Sequence, residues 1–166
     1  SDITGSKPMK DIDLNMSTAW GIDNDGKVYY RDLSAKMDWT NVPGKLSTIT
    51  ADDEFIWGFT ETNKLVRMSA QSKANWDTIA NPHQLIKIEA GATEVWGVNA
   101  KNEVYRINSA GEGPWQLVAT GYTNVSVGYE YVWLADDKGS LFKYDLKGFE
   151  DFAGFASDKT VIFPVS

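Results

Sequence analysis

The sequence predicts an all-β protein, a small β-propeller in which four repeats each form one four-stranded antiparallel blade. Two observations on tryptophan spacing point to this fold. A first tryptophan recurs at intervals of 37 to 39 residues, and a second aromatic residue follows each first one after 19 residues, so every tryptophan belongs to one of two series. In addition, no stretch shows sustained helical periodicity. Repeats of about this length built from short strands are typical of propeller blades. The first series is Trp20, Trp57, Trp96 and Trp133, and the second is Trp39, Trp76, Trp115 and Phe152.

Each repeat contains four short strand-like runs separated by turn residues. In the third repeat these runs are 85–90, 94–99, 103–107 and 115–118, and the longest connection is a polar loop that ends at Pro114. Short apolar or alternating runs bounded by Gly, Pro, Asn and Ser are typical of strands. We expect a single domain over residues 1–166, with repeats at about 9–45, 46–83, 84–121 and 122–166.

Aliphatic residues recur at fixed distances from the tryptophans, which predicts that they form the core. The first-series tryptophans are expected to pack with them as wedges between blades. Eight residues before the first tryptophan stand Ile12, Ile49, Ile88 and Val125, and eight residues after it stand Val28, Leu65, Val104 and Leu141. Three residues after the second aromatic stand Val42, Ile79, Val118 and Phe155.

The two ends of the chain both carry a strand-like run. We expect the C-terminal run 160–165 to pair beside the N-terminal strand around Ile12, which would close the ring and remove exposed sheet edges. The Asp-Gly turn at Gly26 and the turn at Gly139 supply the backbone geometry of tight hairpins. A closed four-bladed ring and an assembly with a second copy of the chain both remain open at this stage.

Composition narrows the classes of partner. The net charge is −7, and Lys and Arg occur singly rather than in runs, which argues against a nucleic-acid partner. No apolar run is long enough to span a bilayer, so membrane insertion is not expected. The absence of cysteine excludes disulfides; it fits a reducing compartment but leaves both a secreted and a cytoplasmic location open.

Enzyme chemistry has little support in the sequence. The one histidine, His83, follows Pro82 in a loop and has no nucleophile motif beside it. The acidic runs 52–54 and 136–137 are typical of solvated turns, and 23–26 lacks the downstream glutamate that a calcium loop needs. We therefore expect a non-enzymatic protein with no metal and no cofactor.

The repeat motif resembles that of the tectonin family of β-propeller proteins. The third repeat carries it most clearly, as Val95-Trp96-Gly97-Val98-Asn99, then Val104-Tyr105-Arg106, then Trp115-Gln116-Leu117-Val118. The second repeat has Leu65-Val66-Arg67 instead, and the fourth lacks the glycine after Trp133 and has Phe152 in place of the second tryptophan. The resemblance covers residues 9–155.

The resemblance implies a lectin. Tectonins and the related horseshoe-crab and fish-egg lectins bind surface glycans, including lipopolysaccharide and methylated sugars, in innate defence. Tectonin repeats also occur within larger scaffold proteins. The alternative function is therefore a protein–protein interaction module or part of a larger scaffold.

Candidate glycan-binding residues fall into three recurring sets, which would form repeated shallow sites on or between blades. Aromatic rings can stack on the apolar faces of sugars, while carboxylate, amide and guanidinium groups can bind vicinal hydroxyls. Each polar set also has a structural interpretation, as hairpin-turn chemistry or cross-strand pairing. The sets are the second-series Trp39, Trp76 and Trp115; Asp23, Asn99 and Asp136, three residues after the first tryptophan; and Tyr30, Arg67 and Arg106, ten residues after it.

Overall fold

The computed structural model describes residues 7–35 and 38–146. All regular secondary structure in these residues is β-strand, arranged as four antiparallel sheets with one sheet in each repeat. This confirms the predicted all-β fold of propeller blades. The chain divides into two compact units, residues 1–82 and 83–166, and each is described by itself. The expected pairing of run 160–165 falls outside the described residues.

The first unit contains two four-stranded sheets, and in each sheet the strands are hydrogen-bonded in chain order. This up-and-down order is that of a propeller blade. Repeat 1 consists of β1 (Met9–Leu14), β2 (Thr18–Asp23), β3 (Lys27–Asp32) and β4 (Thr40–Lys45). Repeat 2 consists of β5 (Thr48–Ala51), β6 (Phe55–Phe59), β7 (Leu65–Ser69) and β8 (Asp77–Thr78).

The second unit also contains two sheets with the same up-and-down order. The described part of repeat 4 contains three strands. Repeat 3 consists of β9 (Leu85–Ala90), β10 (Glu94–Asn99), β11 (Glu103–Asn108) and β12 (Gln116–Thr120). Repeat 4 consists of β13 (Tyr122–Val127), β14 (Tyr131–Asp136) and β15 (Leu141–Asp145).

The central hairpin of every repeat has one residue in the left-handed backbone region, six residues after the first tryptophan. Its φ is 76° at Gly26, 57° at Asn63, 61° at Asn102 and 82° at Gly139. Glycine and asparagine adopt this conformation more readily than other residues, so the turn chemistry agrees with the fold in all four repeats. The turns expected at Gly26 and Gly139 are confirmed.

The glycine after the first tryptophan lets the first strand of the sheet approach the second. A Cβ atom on Gly97 would lie 2.8 Å from Cδ1 of Leu85 and 3.0 Å from the carbonyl oxygen of Lys87. Both atoms belong to β9, which is paired with β10. The Trp-Gly dipeptide of the motif therefore joins a large core side chain to a close backbone contact.

The core of each unit lies between its two repeats. In the first unit, Trp20 and Val28 of repeat 1 pack in one apolar cluster with Ile49 and Met68 of repeat 2. In the second unit, Trp96 packs in a cluster with residues of repeat 4. Trp20, Trp57 and Trp96 are fully buried, as a structural role predicts, whereas Trp133 is 37% exposed.

The prediction that every aligned aliphatic residue is buried is wrong at two exposed positions. Three further positions, Ile79, Ile88 and Val118, are only half-buried, and Phe152 and Phe155 lie outside the described residues. Ile12 is 52% exposed because the face of β1 toward repeat 2 carries Asp11 and Asp13 instead. Their carboxylates accept hydrogen bonds from backbone amides of β5, so the intervening isoleucine points away from that contact. Leu141 is 49% exposed because β15 stands at the edge of its sheet within the described residues.

Candidate functional site

Strand pairing places each first tryptophan directly opposite the residue ten positions later. The four pairs are Trp20 with Tyr30, Trp57 with Arg67, Trp96 with Arg106 and Trp133 with Lys143. Directly opposite residues share one face of the sheet, and so does the residue two positions before the tryptophan. We call these three positions the tryptophan cluster of a repeat. The position two residues before the tryptophan holds Thr18, Phe55, Glu94 and Tyr131 in repeats 1 to 4.

The tryptophan cluster of repeat 3 contains its own hydrogen-bond acceptor. The indole Nε1 of Trp96 donates to Oε2 of Glu94 at 3.0 Å, and Nη1 of Arg106 donates to Oε1 of the same carboxylate at 3.2 Å. A second guanidinium nitrogen of Arg106 donates to Oε1 of Gln116 at 3.3 Å. One carboxylate therefore bridges the tryptophan and the arginine.

The tryptophan cluster of repeat 2 has the same donors but no carboxylate. Phe55 occupies the position of Glu94, and the ring centre of Phe55 lies 4.2 Å from Cζ of Arg67. Nε1 of Trp57 and both Nε and Nη1 of Arg67 are buried, and none of them has an acceptor within the described part of the chain. A cation–π contact replaces the ion pair of repeat 3.

The tryptophan clusters of repeats 1 and 4 are built mainly from rings and lysines. In repeat 1 the rings of Trp20 and Tyr30 are 5.5 Å apart, and Nζ of Lys73 from repeat 2 lies 4.9 Å from the Tyr30 ring centre. In repeat 4, Nζ of Lys143 lies 3.3 Å from the ring centre of Tyr131. The predicted set of Tyr30, Arg67 and Arg106 thus lies beside the first tryptophans.

The second-series tryptophans differ in exposure. Trp39 and Trp76 are half-buried, and Nε1 of Trp76 donates to the carbonyl oxygen of Pro43 at 2.7 Å. Trp115 is only 7% exposed, so little of its ring surface could contact a ligand. In repeats 1 to 3 the residue after this tryptophan pairs with a cluster residue: Thr40 with Tyr30, Asp77 with Arg67 and Gln116 with Arg106.

The polar residues three positions after the first tryptophan close the central hairpins. Oδ1 of Asp23 accepts hydrogen bonds from the amides of Asp25 at 3.0 Å and Lys27 at 2.9 Å. Asn99 and Asp136 accept the equivalent bonds in repeats 3 and 4. The amide of Ser140 is the main reason that the pKa of Asp136 lies below its ordinary value. These side chains have a structural role, and ligand binding by them stays a prediction.

A second polar cluster lies at the same hairpins in repeats 1 and 3. Nζ of Lys7 lies 4.1 Å from the ring centre of Tyr29, and the His83 ring stacks on Tyr105 at 4.1 Å. Lys7 and His83 both stand 13 residues before a first tryptophan. This cluster was not predicted from the sequence; the tyrosine that recurs nine residues after Trp20 and Trp96 is the feature that could have indicated it.

Hydrogen bonds at Glu103 complete this cluster in repeat 3. Its Oε2 accepts from Nδ2 of Asn99 at 2.7 Å and from the hydroxyl of Tyr105 at 3.0 Å. These two bonds, that of Asn99 foremost, hold the pKa of Glu103 below its ordinary value. The stacked ring of His83 is thereby placed beside a carboxylate that is already bonded to its neighbours.

The described ranges 7–35 and 38–146 contain neither a cluster of metal-binding side chains nor a membrane-spanning helix. No group of three or more acidic or histidine side chains there could hold a metal ion. Nor does any helix of sufficient length and apolarity to cross a membrane occur in this part of the chain.

The repeat geometry agrees with a family match that covers most of the chain. Residues 2–146 match the Tectonin domain family. The chain belongs to the tectonin family. The family predicted from the repeat motif is therefore confirmed, and the repeats can be called tectonin repeats. No curated protein sequence matches the chain.

Solved structures resemble this tectonin chain in fold at very low sequence identity. Yeast RCC1 (Prp20), crystallised with Kap60, is 10% identical with a TM-score of 0.71, covering 99% of this chain and 50% of that one. Human WBSCR16 is 11% identical with a TM-score of 0.65, covering 87% and 48%. The computationally designed protein Ika4 is 10% identical with a TM-score of 0.58, covering 87% and 95%. The chain thus spans about half the length of the two natural proteins.

Proposed function

We propose that this tectonin chain is a carbohydrate-binding protein that recognises surface glycans through shallow sites repeated from blade to blade. The proposed partners are glycans or glycoconjugates, with lipopolysaccharide and methylated sugars as the first candidates. The binding is non-enzymatic. Weak single sites would act together on a dense glycan surface, because repeated presentation on one particle raises avidity without any new contact.

The observation that carries the proposal is the same arrangement of ring and polar group in repeats 1 and 2. Trp39 and Trp76 occupy one repeat position, and both keep part of the ring exposed. Each immediately precedes the first residue of a strand, Thr40 of β4 or Asp77 of β8, and that residue pairs with Tyr30 or Arg67. An apolar ring face beside a hydrogen-bonding side chain is the combination that a sugar ring with its hydroxyls requires.

A glycan array probed with the full chain tests the proposal. We expect binding to a defined class of glycan, and we expect Trp39→Ala to weaken it while leaving the unfolding midpoint close to that of the parent. Trp115→Ala is the matched control, because its buried ring should affect stability rather than glycan contact. A blank array from a folded sample would contradict the proposal.

A second candidate function, a protein–protein interaction module, has one specific observation in its favour. Ile12 and Leu14 of β1 and the following Met16 are all exposed, whereas Ile49 and Val125, which match Ile12 in repeats 2 and 4, are buried. An apolar strip present in a single repeat is typical of an asymmetric protein interface rather than of a repeated sugar site.

The solution mass of the same sample distinguishes the two functions. If the strip is an interface between copies of the chain, the mass exceeds 18.5 kDa and falls to that value in an Ile12→Lys, Leu14→Lys variant. A monomeric chain that binds the array supports the glycan proposal. A monomeric chain with a blank array moves the assignment to an interface with another protein.

A further inference from the structure

The buried donors of repeat 2 lack the acceptor that repeat 3 supplies from its own sequence. In repeat 3 the Glu94 carboxylate accepts from Trp96 and Arg106 through different oxygens, at 3.0 Å and 3.2 Å. In repeat 2, Trp57 and Arg67 occupy the equivalent paired positions on the same two strands. Their three buried N–H groups have no acceptor in the part of the chain that the structure describes.

A buried donor without an acceptor is unfavourable, and a guanidinium without a counter-charge is more so. We propose that repeat 2 contains a subsite for a carboxylate, which a ligand supplies in the place that Glu94 fills in repeat 3. In combination with the proposed glycan binding, on which this choice of ligand rests, the carboxylate belongs to an acidic sugar of the uronic acid class. Arg67 and Trp57 bind its two oxygens.

The ligand class follows from the chemistry of the donor set. An indole N–H and a guanidinium on adjacent strands match two oxygens held on one planar carbon, as the Glu94 carboxylate already demonstrates. A neutral hydroxyl would satisfy one donor but would not balance the charge of Arg67. The subsite therefore distinguishes glucuronate from glucose, which differ at a single carbon.

Phe55 controls access to this subsite. Its ring lies 4.2 Å from Cζ of Arg67 and covers the guanidinium. The side chain is only half-buried, so rotation about its Cα–Cβ bond to another staggered rotamer would move the ring toward solvent. The carboxylate then replaces the ring over Arg67, and an ion pair replaces the cation–π contact.

Asp77 is a candidate internal competitor for Arg67. It is the cross-strand partner of Arg67 on β8, but it is exposed, and the buried Nε and Nη1 of Arg67 have no bond to it. Gln116, which occupies the equivalent position in repeat 3, accepts from Nη2 of Arg106, whereas the bridging carboxylate accepts from Nη1. Asp77 therefore stands where an additional contact is expected, and it leaves the carboxylate subsite open.

A titration followed by nuclear magnetic resonance tests the inference. Sodium glucuronate is added to the full chain at constant ionic strength, and glucose and sodium chloride serve as matched controls. We expect the indole N–H resonance of Trp57 to move saturably with glucuronate alone. The response should be lost in Arg67→Met and in Phe55→Glu, which supplies its own carboxylate, and should persist in Arg106→Met, the equivalent change in repeat 3.

Two further results separate this inference from the proposed function. A Trp57 resonance that does not respond to glucuronate, or that responds equally to glucose, overturns the subsite even if the glycan array shows binding to neutral sugars. A saturable glucuronate response that survives in Arg67→Met also overturns it, because another group must then bind the carboxylate. Tighter glucuronate binding by a folded Phe55→Ala variant would support it, since no ring has to be displaced.

Discussion

Repeats 2 and 3 carry the same paired tryptophan and arginine, but they differ in whether the N–H groups of those side chains have an acceptor. In repeat 3 the Glu94 carboxylate bridges Trp96 and Arg106. In repeat 2 a phenyl ring lies over the arginine, and the indole and guanidinium donors of Trp57 and Arg67 have no acceptor in the described residues. A single position, two residues before the tryptophan, decides between the two arrangements.

The difference shows that some positions of these tectonin repeats recur because they maintain the fold, whereas another position varies between repeats. The tryptophan, the glycine after it and the hairpin turn recur because they build the sheet and the core. The position two residues before the tryptophan varies and is Thr, Phe, Glu or Tyr in repeats 1 to 4. In repeat 3 this position supplies the acceptor for the tryptophan and the arginine, whereas in repeat 2 it leaves them for the proposed ligand.

The largest expected effect concerns the first-series tryptophan, which occurs at the same position in both repeats. Trp96→Ala should lower the free energy of unfolding by about 3–5 kcal/mol, because it empties a fully buried site in the core of the second unit. Trp133→Ala, at the equivalent but 37% exposed position, should cost far less. Denaturant unfolding of both variants measures the contrast, and equal losses would show that exposure does not set the role of these side chains.

The next effect converts repeat 3 into the state of repeat 2. Glu94→Ala should cost about 2 kcal/mol, because it leaves the buried indole of Trp96 and the partly buried guanidinium of Arg106 without their shared acceptor. Glu94→Gln keeps an acceptor of the same shape and should cost less. Chemical denaturation checks both values, and an unchanged stability in Glu94→Ala would mean that the bridge contributes nothing.

The reverse exchange should have a smaller and opposite effect. Phe55→Glu places a carboxylate beside Trp57 and Arg67, and we expect a net gain of roughly 1 kcal/mol after the loss of the phenyl contact. The gain should disappear when Arg67→Met is present. A double-mutant cycle measures this coupling, and a stabilisation that persists without Arg67 would point to another cause.

The smallest expected effect concerns another position at which the two repeats differ. Asp52 stands five residues before Trp57, where repeat 3 has Gly91. Burial raises the pKa of the Asp52 carboxyl above its ordinary value of 3.8, although the amides of Phe55 and Glu54 donate to it. The folded state therefore binds this proton more tightly than the unfolded state does.

The sign of the pH dependence follows from that direction. Ionised Asp52 destabilises the fold at neutral pH, and this cost falls as the pH drops through the raised pKa toward 3.8. Asp52→Asn should be more stable than the parent at pH 7, and the difference should shrink on acidification. Thermal unfolding of both proteins across this range measures the difference, and a gap that widens at low pH would contradict the assignment.

The sequence predicted the recurring framework because that framework is local and periodic. The tryptophan spacing and the turn residues predicted the four sheets, and the structural role of Trp20, Trp57 and Trp96 is confirmed by their burial. The burial predicted for Ile12 from its repeat position was wrong, because Asp11 and Asp13 on the same strand point toward repeat 2 instead. The same position in two repeats can therefore have different surroundings.

The bridging role of Glu94 could not be predicted from the amino-acid sequence alone. A glutamate at the start of a strand is usually exposed to solvent. The equivalent residues Thr18, Phe55 and Tyr131 differ in chemistry, so the sequence shows no recurring acceptor at this position. Glu94 and Arg106 are 12 residues apart and meet only because β10 and β11 pair in a register that places Trp96 opposite Arg106. Strand register, rather than residue type, creates the site.

The most direct test of the contrast between the two repeats is the nitrogen–proton spectrum of the indole groups in the unliganded protein. We expect the Trp96 N–H resonance to lie downfield of that of Trp57, because Trp96, unlike Trp57, donates to a carboxylate in the described residues. Glu94→Ala should move the Trp96 resonance upfield, and Phe55→Glu should move that of Trp57 downfield. Coincident resonances that neither substitution displaces would contradict the account.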